Sequence, residues 1–191
     1  DEEKFAIYRY GAKEFPLVML LANAFSNGMV PKVAQVGVVE TTKTIKAESL
    51  KLMHVFFPIS IGFMLVSEWL YPRLFNPDFI ESAAVFNVSL LLIVSRLVFP
   101  QTLLIGLKKT NTIMLVAVLE LAVNFGLSIL LVQLFGLVGI AFATVIANIL
   151  DKLILMVVLK SSVNISPTSY WPWQWHMGYS AMIGSVYLIL G

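Results

Sequence analysis

Apolar residues come in long unbroken blocks along this chain, with polar positions falling between the blocks and, at a few places, inside them. The blocks run from Glu14 to Val36, Leu52 to Tyr71, Ala83 to Leu107, Thr112 to Phe135 and Leu137 to Leu159, and a further one starts near His176. Crossing a hydrocarbon layer about 30 Å thick takes roughly 20 helical residues at about 1.5 Å each, and the first five blocks have that length. A transmembrane barrel would alternate apolar and polar residues over segments of about 10, which these runs do not. The pattern predicts an all-α, polytopic transmembrane helix bundle of five full spans plus the start of a sixth. Short connections make consecutive helices antiparallel neighbours.

Composition agrees with the pattern. The residues AVILMFWYC make up 59 % of the 191 and the charged ones 13 %, against about 25 % charged in a soluble domain. The few charges are also ordered along the chain. Lys32, Lys43, Lys46 and Lys51 lie between the first two blocks, Arg73 alone in the next connection, Lys108 and Lys109 in the third, none in the fourth, and Lys152 and Lys160 near the end of the fifth block. The positive-inside rule puts the richer connections in the cytoplasm. The stretch with Arg9 and Lys13 against Asp1, Glu2 and Glu3 is then outside. Trp171, Trp173 and Trp175 precede the last block, where amphipathic rings anchor at the headgroups.

Several chemistries lack their residues. With no cysteine there is no disulfide or thiolate site. A net charge of +2 is too small for a nucleic-acid partner. The sequence has no Gly-x-x-x-x-Gly-Lys phosphate loop and no His-Glu-x-x-His motif, and neither histidine has a metal-ligand companion. No cofactor, metal site or catalytic residue is expected, and the chain does not read as an enzyme. It starts at Asp1 rather than an initiator methionine, with no signal peptide, and stops early in the sixth block. That suggests an internal piece of a larger transporter.

Polar residues inside the blocks are the candidate chemistry. Arg96 in "VSRLVFPQTLLIG" lies about ten residues from "LKKTN", too deep for easy snorkelling, and lipid exposure at mid-membrane costs about 2.5 to 3.5 kcal/mol. It faces either a wet cavity or a partner such as Glu120. Pro100, four residues on, cannot donate to the Arg96 carbonyl, so a kink is expected there. Ser89 and Arg96 share that side. Glu120, Asn124 and Ser128 recur every four residues in the fourth block, and Thr144, Asn148 and Lys152 in the fifth, beside Asp151. Asp151 and Lys152 read as a local interfacial ion pair. Gly139, Ala143 and Ala147 offer a small-residue row for close helix approach. His54 and Glu68 mark the ends of the second block, and Asn23 and Asn27 form an i,i+4 pair in the first.

The order "FAIYRYGAKEFPLVMLLANAFSNGMVPKVAQ", "LYPRLFNPDFIESAAVFNV", "SRLVFPQTLLIGLKKTN" and "ELAVNFGLSILLVQLFGLVGIAFATVIAN" resembles the bacterial polysaccharide-biosynthesis flippases of the multidrug, oligosaccharidyl-lipid and polysaccharide exporter superfamily. Its marks are Tyr10 and Gly11, Pro31, the "LF-x-P-x-F" turn of Leu74, Phe75, Pro77 and Phe79, and the Gly136, Gly139 and Ala141 cluster; Asn76 stands where that family more often has glycine. The resemblance implies two six-helix lobes around a central cavity in the bacterial inner membrane. Residues 1–160 would be most of the second lobe, 161–191 a cytoplasmic loop and the start of an extra helix, and the first lobe of the same polypeptide would be its partner.

The implied function is flipping an undecaprenyl-pyrophosphate-linked oligosaccharide across that membrane by alternating access, among membrane lipids and without bond chemistry. On that reading Arg96 contacts the pyrophosphate, Arg9 and Lys13 help receive it, and Asn124, Ser128 and Asn148 bond sugar hydroxyls. Glu120, then Glu68, would couple transport to a proton or sodium ion. A cation-coupled multidrug exporter of the same superfamily and a non-transporting scaffold or subunit are the alternatives. The first predicts a cavity of carboxylates and aromatics, the second polar faces packed against one another.

Overall fold

The computed structural model describes residues 2–13, 16–75 and 79–190. Asp1, Glu14 at the head of the first block, Asn76 and Pro77 of the "LF-x-P-x-F" turn, and Gly191 lie outside them. Every described element is a helix: α1 (Glu2–Gly11), α2 (Pro16–Gln35), α3 (Val38–Leu74), α4 (Ile80–Leu90), α5 (Ile93–Arg96), α6 (Pro100–Gly106), α7 (Thr110–Val163), α8 (Pro167–Tyr170) and α9 (Trp173–Leu190). Three of them, α2, α3 and α7, are long and apolar enough to cross a membrane, and a fourth crossing arises if the bent pair 80–96 and 100–106 is one span. The protein is an all-α polytopic membrane bundle. α9 covers the sixth block but is not among those three, its first turn being Trp173, Gln174, Trp175 and His176.

α3 takes in most of what the sequence pattern left as a connection. It begins at Val38 and runs 37 residues, about 55 Å at 1.5 Å per residue. From Val38 to Phe57 there is neither glycine nor proline to stop it. Exposed ion pairs one turn apart, Glu40 with Lys43 at 3.2 Å and Glu48 with Lys51 at 2.7 Å, suit a helix standing in water. Its buried side follows helical spacing through Thr41, Ile45, Ser49, Met53, Ser60 and Ser67.

The fourth and fifth blocks form α7, which doubles back within itself. At Gly136 φ is 59° and ψ −138°, a conformation strained for any residue with a Cβ. Residues 110–135 and 137–163 are thus two antiparallel arms. Gly139 lets them close, because a Cβ there would collide with the Leu131 carbonyl. Ala143 and Ala147 are also fully buried, as a small-residue contact face requires. Asn164, in the left-handed region at φ 57°, ends the second arm.

The third block is broken twice. Leu91 and Leu92 bond back only three residues, to Val88 and Ser89, a tightened turn that separates α4 from α5. The second break, at 97–99, precedes Pro100, whose ring disfavours helical geometry in the residue before it and whose nitrogen has no hydrogen. The axis bends by 47° there, the kink expected next to Arg96. α1 packs on α4, where Gly11 lies against the Ser82 carbonyl and Val85. Tyr10 meets Phe75 and Phe79 at ring distances of 5.0 and 5.3 Å, so two marks far apart in sequence form one aromatic knot.

Candidate functional site

The second break brings α2, α6 and the second arm of α7 around the end of α5. Asn23 and Ser26 from α2, Arg96, Gln101 and Thr102 of α6, and Lys152 line one cavity of about 70 Å³. Ser26 and Thr102 hydroxyls are 2.6 Å apart and tie α2 to α6. A smaller cavity of about 10 Å³ holds Arg96 with Ser60 and Ser89, so the expected side shared by Ser89 and Arg96 is present. Arg96 is half-buried and engaged by its surroundings.

Lys152 Nζ lies 3.0 Å from Asp151 Oδ2, and the two side chains are only 14 % and 10 % exposed. The pair sits near the middle of the second arm rather than at its end, so it is a buried pair, where an interfacial one was expected. Such a pair is retained at a desolvation cost and fixes charge at a set depth. Glu120, half-buried on the first arm, feels the charges of Asp151, Lys152 and Arg96 together. Arg96, Glu120, Asp151 and Lys152 thus form one electrostatic group from three segments.

Asn124, Ser128 and Asn148 belong to a second group, on the seam between the arms. Ser128 Oγ donates to Asn124 Oδ1 at 3.1 Å, Asn124 Nδ2 approaches Thr144 Oγ1 at 3.5 Å, and Asn148 Nδ2 donates to the Thr144 carbonyl at 3.0 Å. The polar rows of the two arms therefore face each other.

The other expected residues lie elsewhere. Arg9 is exposed on α1, and Lys13, beyond its end, stands 5.1 Å from the Tyr10 ring centroid. Glu68 is exposed on α3 next to Trp69. His54 Nδ1 is bonded to the Tyr179 hydroxyl at 2.7 Å, joining α3 to α9.

Gln101, Thr102 and Ser26 were missed by sequence reasoning. The available signal was position: Gln101 and Thr102 open the helix after the proline break, one turn from Arg96, where polar residues have little reason to be in oil.

Helices long and apolar enough to cross a membrane, with charged and amide groups lining a cavity among them, define a multi-pass membrane protein. Residues 1–190 match the model of the lipid II flippase MurJ family, and the chain belongs to that family. No curated protein and no solved structure matches it. As a member it is a transporter rather than an enzyme, a multi-pass protein of the inner membrane, and its function is transmembrane export of a lipid-linked sugar.

Proposed function

We propose that the chain carries a polyprenyl-pyrophosphate-linked oligosaccharide, of the kind the family name specifies as lipid II, from the cytoplasmic to the outer leaflet by alternating access. One observation supports this most: Arg96 and Lys152, from different helices, line the same polar cavity among amides and hydroxyls. A pyrophosphate leaving water needs cations and hydrogen-bond donors, and guanidinium engages several phosphate oxygens at once. Lys152 also borders an apolar cavity of about 230 Å³, so charge and hydrocarbon surface adjoin, as an amphiphile requires. Arg9 and Lys13 receive the head group at the outer side. Asn124, Ser128 and Asn148 contribute the hydrogen-bonding capacity left beyond their mutual bonds to sugar hydroxyls.

In this reading there are five spans: α2, the later half of α3, the broken run α4 to α6, and the two arms of α7. They form most of a second lobe over residues 1–160, with 161–191 supplying a cytoplasmic loop and an added helix. Glu120, within reach of the charged group, is the coupling carboxylate for a proton or sodium ion, and Glu68 the second candidate. Binding there biases one of two lobe arrangements.

The polar seam between the α7 arms is what a non-transporting scaffold would also show; the shared cavity of Arg96 and Lys152 is not. A cationic drug would call for a carboxylate, and none is among the described residues that line that cavity. The test is to delete the chromosomal gene and return it with Arg96→Ala or Arg96→Lys at matched membrane levels. Labelled lipid-linked sugar reaching the outer leaflet is then measured. Loss with alanine and partial recovery with lysine are expected; undiminished transport by Arg96→Ala would remove Arg96 from the translocation path.

A further inference from the structure

The part of α3 before Leu52 and the turn from α8 into α9 flank a cavity of about 720 Å³, within the roughly 300–1,000 Å³ of ordinary small-molecule sites. Lys43 and Lys46 reach it from one face of α3, and Ser169, Trp173, Gln174 and Trp175 from the opposite wall. No carboxylate is among the described residues that line it. Lys46 precedes Leu52, where the apolar block begins, by six residues, about 9 Å along the helix axis. The cavity therefore lies at the head-group level, on the side that the positive-inside rule assigns to the cytoplasm.

The two ammonium groups are held differently. Lys46 Nζ donates to the Thr168 carbonyl at 2.7 Å, a neutral partner that leaves its charge in place and two of its three donors over. Lys43 is paired with Glu40 at 3.2 Å, and those side chains are 68 % and 61 % exposed, so that pair is loose and screened. Lys43, Lys46 and Glu40 together carry one net positive charge. That matches a single phosphodiester and falls short of a pyrophosphate.

The remaining walls ask for more than a free anion. Trp173 and Trp175, 47 % and 55 % exposed, present apolar surface beside the lysines together with Ala47 and Leu50, and indole rings belong at the membrane interface. Gln174 and Ser169 can bond hydroxyls on a head group. Toward the membrane centre the seam between α3 and α9 is filled. There His54 Nδ1 is bonded to the Tyr179 hydroxyl at 2.7 Å, Phe57 stacks on Tyr179 at 5.1 Å, and the Trp175 ring lies 4.9 Å from His54. A head group in this cavity is thereby kept from the bundle interior and from Arg96. Its chains run down the outside of the bundle, where Val55 and Ile59 are exposed on α3.

We infer that this cavity is a binding site for the head group of a monoanionic glycerophospholipid, phosphatidylglycerol being the bilayer lipid that joins that charge to hydroxyls on its head. It is separate from the Arg96 cavity and does not rest on which lipid-linked sugar the chain carries.

The test uses the purified protein in phosphatidylcholine liposomes, with tryptophan fluorescence quenched by lipids brominated on their acyl chains. Brominated phosphatidylglycerol should reach half-maximal quenching at about a fivefold lower mole fraction than brominated phosphatidylcholine, the equivalent of one lysine near a charged head group. Lys43→Gln with Lys46→Gln should bring the two lipids to parity at an unchanged thermal midpoint. Lys108→Gln with Lys109→Gln, a basic pair outside the cavity, should keep the preference, and Trp173→Phe with Trp175→Phe should remove the excess quenching. Glycerol 3-phosphate in the aqueous phase should leave the preference unchanged. Parity in the unsubstituted protein would overturn the inference, and that comparison needs no variant to fold. Loss of the preference with the Lys108 and Lys109 pair would also overturn it, in favour of a diffuse basic surface. So would excess quenching that survives without Trp173 and Trp175, which puts the lipid elsewhere, or displacement by glycerol 3-phosphate, which makes the site one for soluble phosphates.

Discussion

Arg96 at the end of α5 and Lys152 in the middle of the second α7 arm line one cavity, and only Lys152 has its neutralising carboxylate next to it in sequence, Asp151. Breaking a buried pair from one side leaves a charge uncompensated, at a cost of about 3–5 kcal/mol. Asp151→Asn alone is therefore expected to lower the thermal midpoint sharply. The double variant Asp151→Asn with Lys152→Met should recover most of the midpoint and still fail to export. Midpoint and lipid-linked sugar export, measured on the same preparations, separate the two effects.

The hairpin in α7 depends on one missing methyl. Gly139→Ala places a Cβ against the Leu131 carbonyl, and a backbone group cannot rotate away, so the expected loss is about 1–3 kcal/mol. Gly126→Ala, with nothing within 4 Å of the new carbon, is the control and should be neutral or slightly stabilising. Unfolding of both variants in mild detergent checks the contrast.

α3 and α4 share a buried polar bond, Ser67 Oγ donating to Asn87 Oδ1 at 2.7 Å. Interhelical bonds of this kind in membranes contribute on average about 0.6 kcal/mol, and at most about 1.7. Asn87→Ala lets the Ser67 hydroxyl donate instead to the Met64 carbonyl, 3.0 Å away. Its cost should therefore stay inside that range. A fall in stability well beyond it would mean that Asn87 holds something more than Ser67.

Outside the spans, burial pushes the Tyr170 hydroxyl above its ordinary pKa, and that hydroxyl has no hydrogen-bond partner among the described residues. The native state then keeps its proton where the unfolded chain releases it. Stability contributed this way is complete below the ordinary tyrosine pKa of about 10 and falls as pH rises past it. Tyr170→Phe should make that alkaline decline shallower and cost little near neutrality, as a midpoint series from pH 7 to 11 would show.

Much of this was legible in the sequence because a bilayer imposes length and periodicity. The apolar blocks, the bend before Pro100 and the close approach at Gly139 all follow from rules about helices in oil. The helical start of α3 was not legible from apolar patterning, since Glu40, Lys43, Glu48 and Lys51 form a helix through propensity and ion pairs rather than an oily face. Depth was misread for Asp151 and Lys152, because a charge pair near the next lysine looks interfacial until the length of the second arm is known. Gln101 and Thr102 gain meaning only when the break turns α6 toward α2, and the partners of Asn124 and Ser128 only when Gly136 folds the second arm back.

That fold has a mechanical consequence. The arms of α7, locked through Gly139 and the Asn124 to Thr144 seam, act as a single stiff blade. The run from α4 to α6 is instead a jointed rod, with backbone bonds missing at 97–99 where a regular helix would resist bending. Force applied across such a bundle is relieved at the joint, and Arg96 is the last residue before it. A group at a pivot rotates without travelling far. Any swing of the bundle in the proposed transport cycle would therefore re-aim the guanidinium between the two sides of the membrane while leaving its depth nearly constant.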